Sequence, residues 1–329
     1  MRRFHHVAIA GAGIVGLACS LALRRRGFAV TVLEAGAAMG EASWAAGGML
    51  AVEDPENPPA LLPLSRYSRS LYDGFLADVA SLSGHNVAYR TQQTLQVVES
   101  AAADVPGALL SAAEVRCLVP GLAADGHNDG DNFLLLEEQS LDPRDLCSAL
   151  PLAARQAGVT LREHEPVTRI ACDADGVILV TAKTEVRADA FVNCCGAWSE
   201  TLDAAAGIAP RKGQMLVVQQ NSGPRLAQVL RSAEIYLIPR ADGRIAIGAT
   251  VEDAGFSKQV ETEALLGLRR RAAALLPAAM DATLVESWAG LRPGSADGLP
   301  TNAQTAERRF LAAGHFRNGI LLAPGTAEA

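Results

Sequence analysis

The chain opens on two apolar rhythms set end to end. Val7-Ala8-Ile9-Ala10 is an unbroken apolar run, the pattern of a strand buried on both faces of a parallel sheet. Ile14, Leu17, Ala18, Leu21 and Ala22 then recur at helical spacing, and Gly27 stands where a left-handed cap ends such a helix. A second apolar run, Ala29-Val30-Thr31-Val32-Leu33, closes at Glu34. Residues 39–50 are rich in small side chains and unsuited to a regular element. Pro55, Pro58, Pro59 and Pro63 mark a connection into a helix over 64–82, strands follow between 87 and 98, and 121–131 predicts a polar turn.

Asp142 and Pro143 predict the N-cap and first turn of a helix running toward Gly158, with Pro151 expected to kink or break it. Strands are expected over 159–164, 177–182, 185–187 and 190–195. Between 214 and 251 the pattern lengthens into alternating strands at 215–219, 235–239 and, after an Asp242-Gly243 turn, 245–248. A helix with Leu265, Leu268, Ala272 and Leu275 on one face follows, and the chain returns through Trp288-Ala289-Gly290-Leu291-Arg292-Pro293 and 310–322. This order predicts an α/β protein. A Rossmann-type lobe (1–85, 135–210 and 285–329) is interrupted by an inserted antiparallel α+β lobe (86–134 and 211–284), with no internal repeat.

The segment between the first strand and first helix, Gly11-Ala12-Gly13-Ile14-Val15-Gly16, carries the first chemistry. Gly11 makes the tight turn, Gly13 lets the backbone approach a pyrophosphate, and Gly16 allows close packing of helix on strand. The helix N-terminus offers amide donors to the anion, and Glu34 stands where a carboxylate accepts hydrogen bonds from a ribose diol. Strand, glycines, helix, strand and acid in register specify a dinucleotide far more strongly than glycines alone. They read only its ADP half, so NAD and FAD both remain open.

Charge and cysteine usage narrow the class. The 29 basic and 36 acidic residues give a net charge of -7 with no long run of one sign, which argues against a nucleic-acid partner. The six cysteines show no CxxC pair and no metal-like spacing, so no metal is expected and a reduced cytoplasm is. Regular glycines and Arg24-Arg25-Arg26 argue against a cleaved leader, and no apolar run is long enough for a membrane span.

Later segments resemble the D-amino acid oxidase superfamily of flavoenzymes and, within it, the glycine oxidases of thiamine biosynthesis. The likeness covers nearly the whole chain. Beside the first unit it rests on Glu41-Ala42-Ser43 through Gly47-Gly48-Met49-Leu50, Gly196-Ala197-Trp198-Ser199, Gly213-Gln214-Met215 and Tyr236-Leu237-Ile238-Pro239-Arg240. It continues through Gly248-Ala249-Thr250, Gly290-Leu291-Arg292-Pro293 and Gly314-His315-Phe316-Arg317-Asn318-Gly319-Ile320. The resemblance implies non-covalent FAD in a glutathione-reductase-like lobe. Gly11, Gly13, Val15, Gly16, Glu34 and Ala35 would hold its ADP half, with Val167 touching the adenine side. Ser43, Gly47, Gly48 and Met49 would hold the ribityl and flavin region, Gly196 belongs with the cofactor contacts, and His315, Arg317, Asn318, Gly319, Ile320 and Leu321 would line the ring.

It further implies that Arg292 clamps a substrate carboxylate, that Tyr236 donates a hydrogen bond to it, and that Arg317 borders the same pocket. Arginine's planar fork suits a small amino acid, which offers little else to grip. The implied reaction is oxidation of glycine or another small amine to an imine, then glyoxylate and ammonia, with oxygen converted to hydrogen peroxide and no side-chain base required. Oxidases or dehydrogenases of sarcosine or D-amino acids are the alternatives, and oligomeric state is left open. Two departures stand out. Cys194-Cys195 precedes Gly196, and the chain ends at Ala329 where the family continues into a long helix facing the flavin, so that a flavin-binding protein impaired by lack of that helix is a further alternative.

Overall fold

The structure, a computed structural model, describes residues 5–98, 106–123, 132–221 and 223–329. Strand His6–Ala10 lies between Ala29–Leu33 and Ala190–Asn193, parallel to both, which accounts for its unbroken apolar run. Thr160–Arg162 extends this sheet on one side and Arg309–Ala313 on the other, and antiparallel Thr301–Ala306 completes its six strands. Alternate residues serve its two faces. Val7 and Ile9 join a core built with helices Ile14–Arg25, Leu62–Ser83 and Pro143–Gln156, whereas Ala8, Ala10 and Phe191 pack on a three-stranded antiparallel sheet. One strand of that small sheet, Val167–Cys172, escapes the sequence reading because its half-exposed residues show no clean alternation.

The second sheet has eight strands. In spatial order they are Thr283–Gly294, Ala209–Gln219, Arg244–Gly248, Tyr236–Pro239, Val229–Arg231, Thr94–Val98, Asn132–Leu136 and Ala108–Leu110, antiparallel except where Val229–Arg231 meets Thr94–Val98. Its faces also divide by parity. Leu216, Val218, Leu237, Ile245 and Ile247 meet Leu268, Ala272 and Leu275 of helix Thr262–Leu275. Met215, Ile238, Ala246, Tyr236 and Trp288 turn the other way, against Trp44, Ala45 and Met49. The small-residue stretch 39–50, which contains a short helix Ala42–Ala45, is therefore pressed onto this face. Strands Asn132–Leu136, Ala209–Gln219 and Thr283–Gly294 run across positions 135, 211 and 285, where the sequence pattern puts lobe boundaries. Pairing of Thr283–Gly294 along Ala209–Gln219 keeps 285–294 in the eight-stranded sheet.

Two helices differ from expectation. Pro143–Gln156, whose cap Asp142 accepts from Arg144 N at 3.1 Å, continues through Pro151 without a break. Its buried face of Leu146, Ala149, Leu150, Ala153 and Ala154 holds the helix across the missing donor. More consequentially, Gly319–Glu328 forms a helix, in a stretch to which the sequence reading gave no regular element. Pro324 removes the N–H that Ile320 O would accept, but Tyr72 Oη donates to that oxygen at 2.9 Å. One residue on, the Ser68 hydroxyl donates to Leu321 O at 2.7 Å and accepts from Gly325 N at 2.8 Å, standing inside the helical ladder. Among the described residues the expected turn over 121–131 is seen only to residue 123; positions 124–131 lie outside them.

Candidate active site

A continuous cavity of about 680 Å³ runs from the ends of the parallel strands to the face of the eight-stranded sheet. It is lined by every residue that the sequence reading assigned to cofactor or substrate except Gly16 and Leu321. Gly16 instead packs against Gly11 O, where a Cβ would overlap that oxygen, which is the close strand–helix approach anticipated for it. Leu321 is fully buried in the core.

At the nucleotide end, Gly11 has φ of 99°, a conformation strained for any residue with a Cβ, and lies tight against Cys194 O. The amides that open helix Ile14–Arg25 have no intrahelical acceptor. Ser43 Oγ accepts one of them, Ile14 N, at 2.9 Å and so ties the 39–50 stretch to the helix start. The Glu34 carboxylate accepts Ala12 N at 2.7 Å and Gly36 N at 2.9 Å, one bond to each oxygen. Each oxygen keeps acceptor capacity for a further donor. Ala35 and Val167 flank this end. Burial, then the Glu34 charge, pushes the nearby Cys195 thiol up to about 12, and all six cysteines are free.

At the opposite end, strand register assembles the polar groups. Tyr236 is opposite Gly248, Gly248 opposite Met215, and Met215 opposite Trp288, so these side chains share one face, and Arg292 joins it four residues beyond Trp288. Tyr236 Oη donates to Met215 Sδ at 3.8 Å. Arg292 Nη1 donates to Thr250 O at 3.0 Å, and among the described residues no carboxylate pairs with it. Gly47 and Gly48 are held against this face by Arg240, whose Nη2 donates to Gly47 O at 2.7 Å. Arg317 borders the cavity as expected but is engaged, its Nη2 donating to Asp54 Oδ2 at 2.8 Å. Beside it Asn318 Nδ2 donates to Asn57 Oδ1 at 2.8 Å, and Gly319 and Ile320 bring the start of the last helix to the wall. His315 lies within 2.8 Å of Thr326 Oγ1, and burial pulls its pKa down to about 4, leaving a neutral imidazole.

Known proteins share this fold. The family described as FAD dependent oxidoreductase, DAO, matches residues 6–329. The chain belongs to this family. It is 32% identical to the glycine oxidase of Geobacillus kaustophilus (strain HTA426), over 99% of this chain and 92% of that one. The crystal structure of glycine oxidase from Geobacillus kaustophilus superposes with a TM-score of 0.91 at 30% identity, covering 98% of this chain and 93% of the other. The protein named Bifunctional protein ThiO/ThiG of Synechocystis sp. (strain ATCC 27184 / PCC 6803 / Kazusa) is 34% identical over 99% of this chain, which spans only 51% of it.

The protein is therefore an FAD-dependent oxidoreductase, and the cavity fits the cofactor. A glycine cradle, open helix amides and Glu34 occupy one end, and a shelf of small residues, Gly47, Gly48 and Met49, lies toward the other. The sequence reading misses Asp54 and Thr250, which orient Arg317 and Arg292 from distant parts of the chain. An acidic residue following the Met49-Leu50 motif was the available signal for Asp54; Thr250 stands in the Gly248-Ala249-Thr250 motif, but it holds Arg292 through its backbone oxygen, a role the motif does not reveal.

Proposed function

We propose that the protein oxidises the amine of glycine, and secondarily of other small amines, with molecular oxygen as acceptor. Glycine, oxygen and water would yield glyoxylate, ammonia and hydrogen peroxide. Arg292 carries this reading: a guanidinium without a carboxylate partner among the described residues, beside Tyr236 in the cofactor cavity, suits a ligand whose main handle is a carboxylate. Bound FAD would supply the acceptor for the hydride leaving the substrate α-carbon. The protein's part is to orient: Arg292 and Tyr236 hold the carboxylate, and Gly47, Gly48 and Ile320 shape the wall behind the reacting carbon. Neutral His315 is spent on Thr326 and needs no proton-transfer role. Similarity to glycine oxidases supports glycine as substrate, and similarity to ThiO/ThiG supports a product used for the thiazole of thiamine. Free cysteines support a cytoplasmic setting, and no helix of the described residues is long and apolar enough to cross a membrane. The two-sheet plan supports a division into a cofactor lobe and a substrate lobe.

Arg292→Ala tests the reading. Leaving the substrate carboxylate unpaired should cost roughly 3–5 kcal/mol, about two to four decades in kcat/KM for glycine. FAD content should hold, and Arg292→Lys should recover part of the loss because an ammonium lacks the planar fork. Wild-type kcat/KM in Arg292→Ala, measured by peroxide release, would remove the assignment; loss of FAD would move Arg292 to the cofactor.

A further inference from the structure

Arg292 is long and lacks a carboxylate to fix it among the described residues, and a glycine and a carbonyl hold it instead. The guanidinium spreads over Gly213 on the adjacent strand, where a Cβ would overlap Cζ and both terminal nitrogens. Thr250 O takes Nη1 at the rim of that hollow. Thr250 is itself tied down: its Oγ1 accepts Gln214 N at 2.8 Å and donates to Glu252 Oε1, and its N–H donates to Gln214 O at 3.3 Å. The Gln214 amide donates to the same carboxylate at 2.8 Å. Lys212 Nζ, on a side chain only 1% exposed, is 3.0 Å from Glu252 Oε2 and 3.1 Å from Glu261 Oε1. Lys212 and Glu252 also exchange two backbone hydrogen bonds of 2.9 Å. A buried ammonium with two carboxylates, a buried amide and a hydroxyl thus converge behind one carbonyl, the carbonyl that holds Arg292.

We propose that Gly213, by leaving the hollow, and Lys212, Gln214, Thr250 and Glu252, by fixing the Thr250 carbonyl, are positioning residues for Arg292 that set how tightly the substrate carboxylate is bound. The inference rests on the reading of Arg292 above. One donor of the guanidinium is committed to Thr250, which fixes its plane and leaves the remaining N–H groups for the carboxylate. The ion pairs of buried Lys212 hold the segment after strand Arg244–Gly248 in one register against Ala209–Gln219, because loss of its carboxylate partners would strand a buried ammonium.

The test is Gly213→Ala. Residue 213 lies in a strand, and the three atoms nearest to its methyl would all belong to the flexible far end of Arg292, so the variant should fold and load FAD. We expect the KM for glycine to rise about tenfold or more while kcat at saturating glycine changes little. Affinity for acetate, a carboxylate without an amine, should fall in parallel by calorimetry, with FAD content and Tm unchanged. Thr250→Val should act in the same direction and Thr250→Ser should restore wild-type values. In an Arg292→Ala background neither Gly213→Ala nor Thr250→Val should have further effect. Wild-type KM and acetate affinity in Gly213→Ala, losses that add to Arg292→Ala, or FAD loss from either variant would overturn the positioning role. Wild-type KM in Arg292→Ala alone would instead remove the reading beneath it.

Discussion

His315 shows how a single buried ring reports on the cavity it lines. It is 3% exposed, and its ring Nε2 lies 2.8 Å from the Thr326 hydroxyl. Burial lowers its pKa from 6.5 to about 4, so between those values the unfolded chain binds a proton that the folded chain refuses. Its contribution to stability is therefore complete above pH 6.5 and is lost as pH falls toward about 4, a difference of about 3 kcal/mol. His315→Asn should flatten the pH dependence of urea unfolding across this window by about that amount. An unchanged slope would mean that the imidazole is not held neutral by burial. Near neutral pH the ring brings no charge to the cavity, which leaves the carboxylate-binding role to Arg292 and Tyr236 as proposed above.

The last helix is the element on which cavity and core depend together. Its first residues, Gly319 and Ile320, line the cavity, and its body is buried against helices Ile14–Arg25 and Leu62–Ser83. Tyr72→Phe keeps the ring and removes only the hydroxyl that satisfies Ile320 O. It should lower stability by about 1–3 kcal/mol and weaken FAD retention, since the unpaired carbonyl sits one residue from the helix start. Denaturant unfolding and FAD titration together check this; unchanged stability would show that the helix does not need this bond. The same contact explains why the helix is illegible in the sequence. Ala323-Pro324-Gly325 looks like a breaker, and its compensation comes from Ser68 and Tyr72, about 250 residues away in the chain. The first strand–glycine–helix–strand unit is legible because its signals are local and both strands are apolar throughout. Val167–Cys172 is not, because a half-exposed strand carries little pattern.

Across the whole molecule, the two sheets meet at one cavity, and the sequence names most of what lines it because the informative residues fall in short motifs. It does not show how they are held. Arg317 is engaged by Asp54 across 263 positions and Arg292 by Thr250 across 42, and Trp288 Nε1 reaches Ala45 O across 243 to pin the shelf to the sheet. Such contacts depend on tertiary approach, and no spacing rule encodes them. The placement of Thr283–Gly294 in the eight-stranded sheet has the same origin: its partner strand begins at Ala209, and the motif Gly290-Leu291-Arg292-Pro293 alone does not say which sheet it joins. The assembled account is of an FAD enzyme whose substrate end grips a carboxylate. It is tested most directly by mixing purified, FAD-loaded protein with glycine in the absence of oxygen and following the absorbance of the bound flavin. The account predicts that the oxidised flavin band bleaches at saturating glycine and returns on admission of air with release of hydrogen peroxide; an unchanged band at saturating glycine would contradict it.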